Sequence, residues 1–369
     1  LQLPPFELER YFARHEFTAR WLLSSSDCEA LSLQTLLAMA DDESRRLWDA
    51  LKLGYTESAG HPRLRETIAD LYDGLAPEDI LLAAPEEGIF LAMHALLEAG
   101  DHLVCTYPGY QSLFAIPQAI GCRVDFWKPV GGKTWRFDLD HLVALLQPDT
   151  RLVVVNFPHN PTGALPSPKQ FADLVDLLKE RGIALFSDEM YRHLEIDTPA
   201  LPPAAAVYGQ AVSLAGLSKA YGLAGLRIGW LATRDRDLLA RAAALKDYTT
   251  ICASAPSEVL ALMALKHRAT ILERQAERLR ANLAVLEAFM ADHGAIFDWH
   301  PPVAGPVCFP RFLPPEGARS FSRRLVREAG IMLLPASVLH YGDAHVRIGF
   351  GRDNLPDVLD RLASYLRMV

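Results

Sequence analysis

A chain of 369 residues, half of them apolar, can bury a large core and by size should hold about two domains. Its net charge of −8, with basic residues such as Arg45-Arg46, Lys266-His267-Arg268 and Arg323-Arg324 scattered among acids, argues against a nucleic-acid partner. Every apolar stretch is interrupted by Glu, Asp, Arg or Pro before it reaches bilayer length, which argues against a membrane span.

From about Ile80 to Thr233, short β-rich runs alternate with segments of helical period. The runs are Asp79–Ala84, His102–Cys105, Arg151–Val155, Ile183–Phe186, Ala211–Leu214 and Ile228–Leu231. Repeated βα units predict an α/β fold, a mostly parallel sheet with helices on both faces, and near-continuous apolar runs suit strands buried on both sides. Long helices are expected over about Arg236–Tyr248 and Ser254–Met290. A Pro/Gly-rich passage from Pro301 to Pro310 then opens an α+β segment with strands near Val307–Phe309, Ile331–Leu334 and Val346–Ile348 and helices near Ser320–Ala329 and Leu355–Leu366. The expected organisation is a segment 1–50 packing with the small domain, a large domain over 51–250, and a linking helix with a small C-terminal domain over 251–369.

In open α/β sheets, ligands lie at the carboxyl ends of the strands. Three such ends carry candidate chemistry. The first is Asn156-Phe157-Pro158-His159-Asn160-Pro161-Thr162-Gly163, where the Asn-Pro and Thr-Gly pairs force a turn. Asn160 there can offer its amide to a ligand oxygen, and a plain turn is the alternative. The second is Ser187-Asp188-Glu189-Met190-Tyr191. A carboxylate closing an apolar strand is costly to bury alone, so Asp188 either caps the next helix or faces a cation. Tyr191, three residues on, reaches the same cavity or packs. The third is Gly216-Leu217-Ser218-Lys219, followed by Gly225-Leu226-Arg227-Ile228-Gly229. A lysine set after a buried strand between glycines is a usable nucleophile toward an aldehyde, because desolvation lowers its pKa. Arg227 presents a planar fork of donors suited to a phosphate. A lone loop lysine is the competing reading.

These motifs, in this order, resemble the fold-type I pyridoxal-5′-phosphate (PLP) enzymes of the class I/II aminotransferase family. The likeness runs from Gly54-Tyr55-Thr56 to Arg347 and adds Tyr55, Gly60, Leu64 and Arg65 as Y-x-x-x-x-G-x-x-x-L-R and a late V-R-I-G strand. The resemblance implies that Lys219 holds PLP as a Schiff base and shuttles the substrate Cα proton. It also implies that Asp188 pairs with the pyridine nitrogen, that Asn160 and Tyr191 hold the 3′-oxygen, and that Arg227 binds the phosphate. By the same resemblance, Tyr110 is the ring-stacking aromatic, Tyr55 reaches the phosphate of a neighbouring subunit in a homodimer, and Arg347 takes the substrate α-carboxylate.

Two departures stand out. Gly216 replaces a family serine, so a phosphate contact is either missing or supplied by Ser213 or Ser218. The loop after the first sheet strand reads Ala84-Pro85-Glu86-Glu87-Gly88, where Pro85 has no N–H for an anion. Phosphate is still expected near this helix start, with Glu86 among the contacts.

The implied reaction is transamination between an α-amino acid and a 2-oxo acid. Segments 156–164 and 216–230 are also similar to capreomycidine synthase, so a PLP-dependent β-eliminating lyase or cyclase is the second reading. A non-catalytic ligand sensor is the third, and it lacks a basic DNA-reading helix among the roughly fifty residues before Tyr55. Five dispersed cysteines (Cys28, Cys105, Cys122, Cys252, Cys308), without a C-x-x-C pair or a secretory pattern at Leu1, point to the cytoplasm. Twelve histidines without paired metal-ligand spacing argue against a metal site. Side-chain specificity is assigned to residues around Ser24–Cys28 and to the neighbouring subunit. The absence of a second cationic motif points to a neutral or aromatic substrate side chain.

Overall fold

The computed structural model describes residues 2–131 and 134–368. Seven strands build one sheet: β1 (Ile80–Ala83), β2 (His102–Thr106), β3 (Arg123–Trp127), β4 (Thr150–Asn156), β5 (Ala184–Asp188), β6 (Ala211–Gly216) and β7 (Gly229–Ala232), in the spatial order β1-β7-β6-β5-β4-β2-β3. All pairings are parallel except those of β7, which runs against both β1 and β6. Strand β3 was not expected from the sequence. It lies at the sheet edge and is only fully buried at Trp127, so Arg-Val-Asp-Phe-Trp lacks the apolar continuity that marks the central strands.

The period-2 alternation of the strands divides the core. Leu152 and Val154 of β4 face one way, with Leu103, Phe186 and Leu214, onto helices carrying Leu91, Leu113 and Leu238. Val153 and Val155 face the other way, onto Phe171, Leu174 and Leu178 of the helix Pro168–Arg181. That helix starts at Ser167, whose hydroxyl accepts from the Gln170 amide while the Gln170 side chain accepts from the Ser167 amide, and it ends at Gly182 in a left-handed conformation. The α/β class with a mostly parallel sheet and helices on both faces is therefore the observed fold.

Beyond the sheet, the expected single helix over 254–290 is two: Ala255–Lys266 and Arg268–Asp292, interrupted at His267. The C-terminal segment carries strands Val307–Cys308, Leu334–Pro335 and Val346–Gly349 in one small antiparallel sheet, with helices Ala318–Ala329 and Leu355–Leu366. The N-terminal segment is tied to it, because Trp21–Leu22 pairs in parallel with Ile331–Met332. This pairing sets the stretch after Leu22, and the helix α1 (Glu7–His15) before it, beside the carboxyl ends of the sheet strands.

Candidate active site

The carboxyl ends of β4, β5 and β6 lie side by side, since Asn156 is in register with Asp188, and Asp188 with Leu214. They open into a cavity of about 380 Å³ whose walls also include Leu8, Glu9, Phe12 and Glu16 of the N-terminal region, Ser25–Asp27, and the start of the helix α2 (Pro85–Leu96). Lys219, Asp188, Tyr191, Asn160, Arg227, Tyr110, Ser218, Glu86 and Arg347 all line it. Tyr55 does not. It stands 89% exposed on this chain, outside the lining of its own cavity.

The deep wall is a connected polar set. Asn156 donates from Nδ2 to the Asp188 carbonyl (3.1 Å) and accepts from the Asn160 amide (2.8 Å), so the turn after β4 is pinned to the end of β5. Asn160 in turn donates to the Tyr191 hydroxyl (3.3 Å) and accepts from Arg347 Nη1 (3.2 Å). Arg347 is 1% exposed and gives Nη2 to the Ser24 carbonyl (2.8 Å), while its Nε has no partner. A buried guanidinium with unused donors in a cavity is arranged to receive a planar anion such as a carboxylate.

Asp188 is buried and accepts one backbone bond, from Met190 (3.1 Å). Burial raises its pKa to about 7, opposed by that bond and by the nearby Lys219 charge. Such a carboxyl gains strongly from a cation beside it. Its neighbour Glu189 points elsewhere, bonded to Ser213 Oγ (2.7 Å) and the Ala204 amide (2.8 Å). Lys219, half-buried, donates to Ser26 Oγ at 2.9 Å. Arg227 is exposed, in a left-handed conformation (φ 56°), and its side chain borders the cavity.

The two sequence departures explain each other. A Cβ on Gly216 would lie 3.0 Å from Gly229 Cα and the Ile228 carbonyl and 3.2 Å from Pro85 Cγ, so the ring of Pro85 crowds the space a serine side chain would need. Ser213 is no substitute, because its hydroxyl is committed to Glu189 and the Ala205 amide. Ser218 lines the cavity with a buried hydroxyl that has no partner. Glu86 bonds Ser112 through one oxygen and leaves the other buried without a partner, and burial raises its pKa. A protonated Glu86 can donate to an anion, whereas an ionised one repels it.

A model of the aminotransferase class I and II family matches residues 22–365. The chain belongs to this family. Membership carries the fold type, the dependence on PLP and the transfer of amino groups, as the motifs implied. Among related proteins, capreomycidine synthase of Streptomyces vinaceus is 34% identical over 94% of this chain and 90% of its own length. A probable N-acetyl-LL-diaminopimelate aminotransferase of Bacillus subtilis is 29% identical over 85% of this chain and 81% of its own. The solved structure of a PLP-dependent aminotransferase from Streptococcus suis is 30% identical, covers 100% of this chain and 99% of that one, and superposes with a TM-score of 0.93.

The residues present fit the family's cofactor. The orphaned Ser218 hydroxyl and Arg227 suit a phosphate, the desolvated Asp188 carboxyl suits a ring cation, Asn160 and Tyr191 suit a phenolic oxygen, and Lys219 supplies the amine. Sequence reading missed Asn156, Glu9 and Glu16 as cavity residues, and reached Ser26 only as part of the Ser24–Cys28 stretch assigned to specificity. Asn156 was visible as the last residue of its strand. The other three come from the N-terminal segment, which only tertiary packing brings to the site.

Proposed function

We propose that this chain moves an amino group between an α-amino acid and a 2-oxo acid, with Lys219 as the cofactor anchor and proton carrier. The observation that carries the reading is the convergence of Lys219, Asp188 and Arg347 on one cavity. When bound, PLP supplies an aldehyde for amines and a ring that accepts electron density from the substrate Cα.

Arg347 grips the substrate carboxylate through its free donors and so fixes the orientation of Cα toward Lys219. Asn160 links that grip to Tyr191, so the carboxylate site and the phenolic-oxygen site share one hydrogen-bonded frame. Asp188, buried and ionised once a cation lies beside it, would hold the ring proton in place. The Lys219 amine takes the proton from Cα and returns it on the other side of the reaction, acting as general base and then general acid. Ser26, 2.9 Å from Nζ in the free protein, is placed to hold that amine between the two transfers.

A homodimer in the cytoplasm completes the reading. Leu53, Tyr55, Tyr248 and Ile251 are exposed large apolar residues on loops and turns. A second copy covering them would bring Tyr55 to its neighbour's cavity. Sedimentation at twice the chain mass, lowered by Leu53→Asp with Tyr248→Asp, supports this, and a monomer that is fully active overturns it.

A second reading, elimination with ring closure, is favoured by one observation, the 34% identity to capreomycidine synthase. Single-turnover analysis of the holoenzyme separates the two. Stoichiometric 2-oxo acid and pyridoxamine phosphate support transamination, while a cyclised amino acid with PLP retained overturns it.

A further inference from the structure

After the expected partners are matched, three cavity acids remain, and one of them, Glu86 at the start of α2, where phosphate is expected, bonds Ser112. The phosphate pairs with Arg227, the ring cation with Asp188, and the substrate carboxylate with Arg347. Asp27 is already held by Arg352, which bonds both its oxygens at 3.0 and 2.9 Å. Glu9 and Glu16 line the same cavity and join no ion pair among the described residues. Two helical turns separate them, with Glu16 capping the carboxyl end of α1, and both share the face that also contributes Leu8 and Phe12 to the wall. Glu9 meets only the Tyr110 hydroxyl at 3.4 Å.

The geometry points to a substrate α-amino acid whose side chain carries a positive charge, received by Glu9 and Glu16. This rests on the amino-acid reading of the same site. Two observations bracket the ligand independently. Arg347, 1% exposed with an unpartnered Nε, marks the end that binds a carboxylate. The acids on α1 and at its carboxyl end mark the other, with the apolar faces of Leu8 and Phe12 beside them for a methylene chain. The Phe12 ring also lies 6.0 Å from the Arg347 guanidinium carbon, so α1 reaches across the cavity to the carboxylate site. Burial and the Asp27 carboxylate both raise the Glu16 pKa, a cost that a bound cation relieves. A cationic side chain departs from the expectation of a neutral or aromatic one. That expectation came from motifs on the sheet, and the acids that decide the charge lie on a helix outside them.

The test compares charged amino acids with neutral ones of similar shape, arginine with citrulline and lysine with norleucine, on the PLP-loaded enzyme. Single-turnover kinetics gives the rate and the dissociation constant for each. The cationic member of each pair is expected to bind about tenfold or more tightly, the lower range for a charge-assisted hydrogen bond. In Glu9→Gln with Glu16→Gln the preference is expected to shrink to about threefold or less. Equal binding of the two members of a pair, with turnover of both, would overturn this inference and leave transamination standing. A preference that survives the double substitution would overturn the assignment to these two residues. Failure of every amino acid, charged or neutral, to react would overturn the transamination reading itself.

Discussion

Asp188 gives the sharpest physical prediction, because its buried carboxyl behaves oppositely with and without a cation beside it. In the free protein its pKa stands at about 7 against an ordinary value of 3.8. A carboxyl displaced upward by about three pH units disfavours the ionised folded state by roughly 4 kcal/mol, at about 1.36 kcal/mol per unit. The folded-state pKa is raised, so the contribution is neutral below the unfolded value and destabilisation grows as pH rises from there to about 7, reaching its full size above it. Asp188→Asn removes the charge and keeps an oxygen for the Met190 amide. The cofactor-free variant should therefore be more stable than the wild type at about pH 8, by up to a few kcal/mol, with the difference vanishing near about pH 4. Urea unfolding across that range measures it. With PLP present the order should invert, because Asn cannot pair with the ring cation, and cofactor affinity should fall about tenfold or more. A cofactor-free variant no more stable than the wild type at the alkaline end, or a difference that grows toward acid, would refute the argument.

Arg347→Met should change thermal stability little in net, because the lost bonds to Asn160 and the Ser24 carbonyl are offset by removing a fully buried charge. Its kcat/KM toward amino acids should fall at least about thirtyfold, the lower bound for truncating one partner of a buried charged pair. Ser218→Ala should weaken PLP binding by roughly three- to tenfold with little loss of fold stability. Ser213→Ala should do the reverse, destabilising the protein by about 1–3 kcal/mol by leaving Glu189 short of a buried partner; equilibrium dialysis with PLP and thermal melts separate the two serines. Gly216→Ser should be destabilising, since its Cβ meets Pro85 and the β7 backbone, and adding Pro85→Ala should recover part of that loss in the same melts.

Much of the architecture was legible because central strands buried on both faces must read as apolar runs. Strict polar–apolar alternation was not needed: Leu152-Val153-Val154-Val155 and Leu185-Phe186 announce themselves. The edge strand Arg123–Trp127 escaped because half-exposed positions tolerate Arg and Asp. The helix break at His267 escaped because both flanks keep helical period. At the site, Asn160, Asp188 and Lys219 could be picked out because strand ends are where an open α/β sheet gathers ligands. Glu9 and Glu16 could not, and Ser26 only within the Ser24–Cys28 stretch, since their place is set by Trp21–Leu22 pairing with Ile331–Met332, a contact between distant parts of the chain that no local pattern encodes. The Gly216 and Pro85 departures were each visible, but that one excludes the other's usual residue required their distance.

The most direct test of the central claim is to load the protein with PLP, reduce it with borohydride and map the modified peptide by mass spectrometry. One cofactor per chain is expected, fixed to Lys219, and none in Lys219→Ala. A cofactor fixed to another lysine, or an unmodified Lys219 in protein that has bound PLP, would contradict the claim.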